Sequence, residues 1–298
     1  MTAASPTHAR LDVPGATLAY AVIGDLADAG PERPPLLLFG SPMDSTGFGT
    51  LAGLLADRVL VLVDPRNTGR SLRKDPTAAV TPEQHADDLH ALVADLGGGP
   101  VDAFATSGGA VNALFLVAAH PDDLRVLVAH EPPMAGLLPD AAHVIAAAEG
   151  LVATYDARGV GPAMAGFIAM VMQRGELDAD YVDQPGPDPA MFGMPTEDDG
   201  SRDDPLMANM RGGGVSSVPD LEAVRVASTR VVIAVGEESG GPSDGEIAGR
   251  AAYAVAEALG QEPEVFPSGH QGFLGGEFGQ TGKPQEFAAK LEEVLLTR

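Results

Sequence analysis

The feature that most constrains the fold is an alternation of short, largely apolar segments with longer segments of helical pattern. Runs such as Val59–Val63 and Val231–Val235 are apolar at every position. Strands covered on both faces show this pattern, whereas strands with one wet face alternate apolar and polar residues. The order of signals therefore predicts an α/β fold, with a mostly parallel central sheet and helices on both faces. The predicted core strands are Leu36–Phe39, Val59–Val63, Val101–Ala105, Val126–Ala129, Val231–Val235 and Glu264–Phe266.

The segments around these runs complete the outline. Pro14-Gly15 separates Ala9–Val13 from Thr17–Ile23, which predicts an antiparallel hairpin at one edge of the sheet. One helix is clearly delimited: Thr81 caps it, Pro82 is its first residue, and a run of glycines at 97–99 ends it. The predicted core helices are Pro82–Leu96, Gly245–Leu259 and Gln285–Leu296.

One long stretch interrupts the alternation. No strand-like run occurs between residues 137 and 219, so we predict a helical cap inserted into a core formed by residues 1–136 and 220–298. Within the cap, helices are predicted at Asp140–Asp156 and Ala163–Arg174, and an acidic, proline-rich loop at Asp178–Pro205.

Charge and cysteine content exclude several classes of function. The chain has 42 acidic and 18 basic residues, a formal net charge of −24, so nucleic acids and anionic membranes would repel it. It has no cysteine, which excludes disulfides, zinc–thiolate sites, iron–sulfur clusters and cysteine nucleophiles. Residues 1–15 contain no apolar signal-peptide region, and no run reaches the length of a membrane helix. We therefore expect a cytoplasmic protein, with no nucleic acid or membrane partner and no cofactor.

The strongest chemical signal is the passage from the strand Val101–Ala105 directly into a helix through Ser107. Such a sharp turn holds a serine in a strained conformation and points its hydroxyl away from the sheet, above the helix N-terminus. The strain requires small neighbours, and Ala105 and Gly109 stand two residues before and two residues after the serine. The usual string is Gly-x-Ser-x-Gly, so Ala105 is a small departure from it.

At this point the chain resembles the α/β-hydrolase superfamily, and the resemblance extends over nearly the whole sequence. It implies the α/β-hydrolase fold, of a capped, serine-nucleophile, esterase- or lactonase-like kind. The order of nucleophile before histidine is also that of the superfamily. Besides the serine turn, the matching segments are Phe39-Gly40-Ser41-Pro42, Asp64–Ser71, the helix Thr81–Leu96 and Ser268–Phe273.

The resemblance implies roles for individual residues. Ser107 would be the nucleophile and His270 its general base, and the backbone N–H groups of Ser41 and Gly108 would form the oxyanion hole. Phe39 stands where a histidine is common in the superfamily. We predict no metal site, because two of the other histidines are spaced too far apart for one helical face and three lack ligand-like companions. The first two are His85 and His90, and the other three are His120, His130 and His143.

The acid of the triad is the least determined member. Most of the superfamily carry it in a Gly-x-x-Asp pattern after the strand that follows the cap, but here that position is Ser239. Glu131, at the end of the preceding strand and followed by two prolines, is the first candidate, since some members place the acid there. Glu238 is the main alternative, Glu237 and Asp244 remain open, and Glu131 could equally be an ordinary strand-end carboxylate.

These features predict a serine hydrolase for a small ester, lactone or related acyl compound. Two alternatives stay open: a non-hydrolytic or carbon–carbon-cleaving enzyme on the same scaffold, such as a perhydrolase, lyase or cyclase, and a catalytically idle small-molecule-binding protein. Methionines are concentrated in the cap, which would suit an apolar or aromatic acyl substrate if they line its entrance, or else they simply pack the cap. They are Met164, Met170, Met172, Met191, Met194, Met207 and Met210.

Overall fold

The apolar runs form the centre of one nine-stranded sheet in the structure, a computed structural model that describes residues 5–297. The strands are β1 Thr7–Val13, β2 Ala16–Ile23, β3 Leu36–Ser41, β4 Leu60–Asp64, β5 Leu72–Arg73, β6 Val101–Ser107, β7 Leu124–His130, β8 Arg230–Gly236 and β9 Glu264–Phe266. Their order in the sheet is β1-β2-β4-β3-β6-β7-β8-β9, and β5 pairs with β2. The six strands from β4 to β9 in that order are mutually parallel. The predicted mostly parallel sheet is therefore confirmed.

The edge of the sheet is the predicted hairpin. β1 and β2 pair antiparallel from Thr7 opposite Val22 to Val13 opposite Ala16, with the turn at Pro14-Gly15. β2 then pairs antiparallel with β4 and carries the short β5 as well. The sequence did not indicate β5, because two residues are too few to show a periodicity.

Helices cover both faces of the sheet, as predicted. They are α1 Gly49–Leu54, α2 Pro82–Asp95, α3 Gly108–Ala119, α4 Ala141–Arg158, α5 Val160–Val171, α6 Pro205–Arg211, α7 Leu221–Val226, α8 Ile247–Ala258 and α9 Pro284–Leu296. On one face, Leu37 and Phe39 of β3 pack in a cluster with α2, α3, α7 and α8. On the other face, Leu36 and Leu38 pack with α1 and α9. Successive side chains of β3 thus pack on opposite faces of the sheet, and both faces are covered, which explains why Leu36–Phe39 is apolar at every position.

The segment 137–219, here called the cap segment, lies between β7 and β8 and contains α4, α5 and α6. It contributes no strand to the sheet, and the whole of it lies within the described residues. The acidic loop carries two 3₁₀ turns, at Tyr181–Asp183 and Pro189–Phe192. The division into core and cap stays a prediction. Within residues 5–297, the stretch from α4 to α7 is the only one in which several α-helices follow one another without an intervening strand.

A buried ion pair fixes the start of the cap segment to the core. Arg250 of α8 donates from Nη2 to Oδ1 of Asp140 at 2.5 Å, and both side chains are almost fully buried. The second carboxylate oxygen of Asp140 accepts from the Leu177 N–H at 2.7 Å, and Arg250 also donates to the Gly175 carbonyl at 2.8 Å. A buried charge is costly without partners, so these bonds are strongly favoured. They hold the residue before α4 and the residues after α5 against α8.

No helix described for residues 5–297 is both long and apolar enough to cross a membrane.

Candidate active site

The turn between β6 and α3 has the geometry that the sequence predicts for Ser107. This residue is the last of β6 and directly precedes α3, with φ 56° and ψ −132°, a conformation that non-glycine residues rarely adopt. A Cβ atom on Gly109 would lie 2.8 Å from the Phe39 carbonyl oxygen, closer than van der Waals contact allows. Ala105 is fully buried. The glycine two residues after the serine is therefore required by the close approach of β3.

Glu131, which follows β7, and His270, which follows β9, meet at the carboxyl end of the sheet. Oε2 of Glu131 lies 2.5 Å from Nδ1 of His270, and Oε1 accepts a hydrogen bond from the Gly236 N–H at 2.8 Å. Glu131 directly follows β7, has φ 48°, and its N–H donates to the Ala234 carbonyl at 2.9 Å. The Glu131 side chain is completely buried, whereas the His270 side chain keeps 30% of its surface exposed. A buried carboxylate thus holds one nitrogen of a ring whose other side reaches solvent.

The two groups change each other's proton affinity. Burial alone would raise the pKa of Glu131, but the hydrogen bond and positive charge of His270 lower it to about 2. Burial tends to lower the pKa of His270, and the hydrogen bond and charge of Glu131 outweigh this effect, so the His270 pKa is raised. Glu131 is therefore ionised at neutral pH and keeps the Nδ1 proton on His270, which leaves Nε2 free to accept a proton.

The other carboxylates considered from the sequence are engaged elsewhere. Glu237 and Glu238 both form ion pairs with Lys283 at the surface, Glu237 at 2.5 Å and Glu238 at 3.1 Å. Asp244 accepts a hydrogen bond from the Gly241 N–H at 2.9 Å. Ser239, at the position where the superfamily usually has its acid, is 1% exposed. Among these candidates, Glu131 is the one that the structure brings to the His270 ring.

A further carboxylate influences His270 from the start of α8. Glu246 directly precedes that helix and lies 3.7 Å from Arg174 of the cap segment. Burial and the negative charge of Glu131 raise the Glu246 pKa, and the charge of Glu246 in turn contributes to the raised pKa of His270. The sequence did not single out Glu246, because its proximity to His270 arises only when β8 and β9 are paired.

The turn at residues 39–42, here called the oxyanion turn, lies beside the turn at residues 105–109, here called the serine turn. Ser41 is the last residue of β3, and it is in parallel register with Ser107 at the end of β6. A Cβ on Gly108 would lie 2.6 Å from the Ser41 carbonyl oxygen, so the two backbones are in close contact. Gly108 is the first residue of α3, and the N–H groups of a first helical turn have no intrahelical acceptor. The two predicted oxyanion donors are therefore adjacent to the predicted nucleophile.

Two residues missed from the sequence join this turn. Asn209 of α6 donates from Nδ2 to the Ser41 hydroxyl oxygen at 3.0 Å, and its Oδ1 lies 3.0 Å from Nε2 of His85 on α2. The cap segment therefore contacts the oxyanion turn through a side chain 168 residues away in sequence. A contact at such a separation leaves no pattern in a single sequence.

One prediction about the remaining histidines is wrong. His120 was expected to lack ligand-like companions, but ligand atoms of His90, His120 and Asp123 all lie within 4.8 Å of one another. The two rings are stacked at 3.7 Å with an interplanar angle of 9°, and Nδ1 of His90 lies 2.7 Å from Asp123. Parallel rings direct their nitrogen lone pairs side by side and not toward one point, unlike the ligands of a tetrahedral metal site. The absence of a metal site stays a prediction.

Solved structures with the same arrangement of strands and helices identify the fold. The chain is 20% identical to a thermophilic esterase from Thermogutta terrifontis, with a TM-score of 0.64 and 98% of each chain covered. It is 15% identical to the enol-lactonase from Burkholderia xenovorans LB400, with a TM-score of 0.65, covering 97% of this chain and 100% of the other. The protein has the α/β-hydrolase fold. This confirms the fold that the resemblance in the sequence implied.

A sequence relative of this α/β-hydrolase-fold protein is described as the uncharacterized hydrolase YraK of Bacillus subtilis (strain 168). The two are 35% identical over 132 residues, which is 44% of this chain and 46% of YraK. The chain thus matches less than half the length of this curated relative. No family model matches the chain.

Proposed function

We propose that this protein is a serine hydrolase that cleaves a small, mostly apolar carboxylic ester, lactone or related acyl compound through an acyl-enzyme on Ser107. The observation that carries the proposal is the 2.5 Å contact between Glu131 and Nδ1 of His270. A buried, ionised carboxylate on that nitrogen is what a histidine needs in order to act as a base through Nε2. The strained serine at the end of β6 and the adjacent oxyanion turn add support.

In the proposed reaction, Nε2 of His270 takes the proton of Ser107 while the serine oxygen attacks the substrate carbonyl. The N–H groups of Ser41 and Gly108 stabilise the negative charge on the carbonyl oxygen. When the intermediate collapses, the C–O bond breaks and His270 gives the proton to the leaving alcohol. Water then attacks the acyl group, its proton passes through His270 to the oxygen of Ser107, and the carboxylic acid leaves. Glu131 stays ionised throughout and stabilises the imidazolium.

The charges of the cap segment support a neutral substrate. Three of its four arginines, at positions 174, 202 and 211, each form an ion pair with a carboxylate: Glu246, Asp198 and Asp156 respectively. The fourth, Arg158, is an exposed residue in the last turn of α4. Cations that are already paired attract a phosphorylated or strongly anionic ligand only weakly. An apolar or aromatic acyl group is the better match to this environment.

The cap methionines differ in how far they are buried. Met170 and Met207 are buried in apolar clusters of the cap segment, whereas Met172 and Met191 are largely exposed. Packing therefore accounts for the buried methionines and not for the exposed ones. The names of the similar structures, an esterase and an enol-lactonase, agree with acyl-transfer chemistry on this scaffold.

The proposal is tested with a fluorophosphonate probe, which reacts with activated serines. We expect the wild-type protein to be labelled at Ser107 and Ser107→Ala to be unlabelled, with both proteins melting at similar temperatures. A folded wild-type protein that is not labelled would overturn the proposal. A panel of nitrophenyl esters and lactones then separates hydrolysis from other chemistry, since labelling without turnover of any of them favours the non-hydrolytic alternative.

A further inference from the structure

The side chain of Ser41 is held in a chain of hydrogen bonds that runs from the core into the cap segment. Asn209 lies between the hydroxyl of Ser41 and the imidazole of His85, at 3.0 Å from each. Ser41 is 3% exposed and His85 is 2% exposed, so water competes little at the two ends of the chain, while Asn209 between them is half-buried. A chain of this kind, anchored at both ends by buried groups, fixes the direction of each donor along it.

The protonation of His85 limits how this chain can be arranged. Burial lowers the pKa of His85 to about 4, so the ring is neutral near pH 7 and has a single N–H. With the Oδ1 of Asn209 facing Nε2, that nitrogen must carry the proton, because an amide oxygen only accepts. The amide nitrogen of Asn209 then donates to Ser41, whose oxygen acts as the acceptor. In this arrangement the hydroxyl proton of Ser41 is not used by Asn209.

The position of α6 makes Asn209 a fixed partner of the turn. The Val80 N–H donates to the carbonyl of Ala208 at 3.0 Å, and a Cβ on Gly212 would lie 1.8 Å from the Val80 carbonyl oxygen. Contact this close between α6 and the segment before α2 leaves little freedom for the residue between these two points. Asn209 is thus placed by backbone contacts, and not only by its own side-chain bonds.

We infer that the hydroxyl of Ser41 is a third oxyanion donor, and that Asn209 is the positioning residue that turns its proton toward the substrate. The inference rests on the proposed acyl-transfer function. Ser41 is in register with Ser107 and touches Gly108, so its side chain belongs to the residue that also offers a backbone donor. A cap residue would in this way contribute to the chemical step by orienting a core hydroxyl.

Two substitutions test the two parts of the inference. Ser41→Ala removes the hydroxyl and keeps the backbone N–H, and we expect kcat on a nitrophenyl ester to fall by about 10²-fold, the lower end for loss of one oxyanion donor. Asn209→Asp keeps the shape but replaces the donor with an acceptor, so the Ser41 proton turns toward the new carboxylate. We expect a similar loss in kcat with little change in KM. Ser41→Thr, which keeps a hydroxyl, should recover most of the activity.

Three comparisons keep the test specific. The double variant S41A/N209D should be no slower than S41A, because both substitutions remove the same interaction. Asn67→Asp is the matched control, since Asn67 also links the core to the cap segment, through the carbonyl of Asp203 at 2.6 Å, without touching Ser41. A trifluoromethyl ketone, which forms an oxyanion on the serine, should lose affinity in S41A by the same factor as kcat/KM falls.

The inference is wrong if folded S41A, active-site-labelled as fully as the wild type, keeps its kcat. It is also wrong if N209D leaves kcat unchanged, which is the result expected when Ser41 donates to Oδ1 of Asn209 instead. An equal loss in N67D and N209D would assign the effect to loosening of the cap segment and would likewise overturn it. The proposed function fails separately, by an unlabelled wild-type Ser107.

Discussion

Nδ1 of His270 and Oε2 of Glu131 lie 2.5 Å apart, although the two residues are 139 positions apart in the sequence. The carboxylate comes from the end of β7, and the strand that follows the cap segment, β8, contributes a backbone N–H to the same carboxylate. The position after β8 that usually supplies the acid in the superfamily is the buried Ser239. The ends of two neighbouring strands therefore position His270. β7 is followed by the carboxylate that contacts the ring, and β8 provides a backbone N–H that binds the same carboxylate.

Replacing the carboxylate with its neutral isostere should slow the chemistry strongly. Glu131→Gln keeps the shape but can no longer hold His270 in the tautomer that accepts a proton through Nε2. We expect kcat to fall by about 10³–10⁴-fold, as for the loss of the acid in other triads, with KM less affected. Glu238→Gln, which alters an exposed ion pair with Lys283, is the control and should stay near wild-type activity. Equal losses in both variants would remove Glu131 from the proposed triad.

The pH dependence of catalysis follows from the direction of the His270 shift. Because Glu131 raises the His270 pKa and only the neutral ring accepts a proton, kcat/KM should rise with pH along a limb whose midpoint lies above the ordinary value of 6.5. In E131Q the residual activity should have its midpoint at lower pH, since burial is then the largest influence on the ring. A midpoint that does not move between the two proteins, followed by pH–rate profiles, would contradict this.

The same pair contributes to stability in a defined pH window. His270, whose folded pKa is raised, adds stability that is fully present below pH 6.5 and is lost as pH rises through the folded pKa. Glu131, whose ordinary pKa of 4.5 is lowered to about 2, adds stability above pH 4.5 that is lost as pH falls toward 2. The melting temperature of the wild type should exceed that of E131Q most between these limits, and a constant difference from pH 3 to pH 9 would exclude the linkage.

The buried ion pair that joins the cap segment to α8 gives a prediction about stability. Arg250→Met leaves the Asp140 carboxylate buried without its cation, and we expect a loss of about 3–5 kcal/mol in the free energy of unfolding, measured by urea denaturation. Replacing both residues with apolar ones (D140L/R250M) should restore part of that loss. Glu222→Gln in the exposed Glu222–Arg225 pair is the control and should have no measurable effect. A small loss in R250M would show that the pair does not anchor the cap segment.

The serine turn tolerates different changes at its two small residues. A methyl group on Gly109 would lie 2.8 Å from the Phe39 carbonyl oxygen and would push β3 away from the turn. Gly109→Ala should therefore lower kcat by at least about 10²-fold through displacement of the oxyanion turn. Ala105→Gly, which restores the usual residue of the motif, should keep activity within a few-fold of the wild type. Steady-state kinetics on one ester compares the two, and a fully active G109A would contradict the required close approach.

Much of the fold could be predicted from the sequence because it depends on local pattern. Runs that are apolar at every position gave the core strands, and Thr81 with Pro82 gave the start of α2, where the capping box is present. The two-residue strand β5 and the short helices α1, α6 and α7 were missed, since elements of two to seven residues are too short to show a period.

The site was harder to predict where it depends on contacts between distant segments. The serine turn is formed by residues that are consecutive in the sequence, so the strained backbone of Ser107 could be predicted. The identity of the carboxylate that contacts His270 depends instead on contacts between distant segments. Lys283 forms ion pairs with Glu237 and Glu238, and the pairing of β7 with β8 sets the position of Glu131. The link from Asn209 to Ser41 depends on how the cap segment is seated, which no local pattern records.

The most direct measurement is to trap the proposed acyl-enzyme. A nitrophenyl ester with a slowly hydrolysed acyl group is mixed with the protein, the reaction is quenched within the first turnover, and the adduct is mapped by peptide mass spectrometry. The account predicts one equivalent of acyl group on the peptide that contains Ser107, formed in a burst with nitrophenol, and no adduct in Ser107→Ala. Turnover of the ester without an adduct on Ser107, or with the acyl group on another residue, would contradict it.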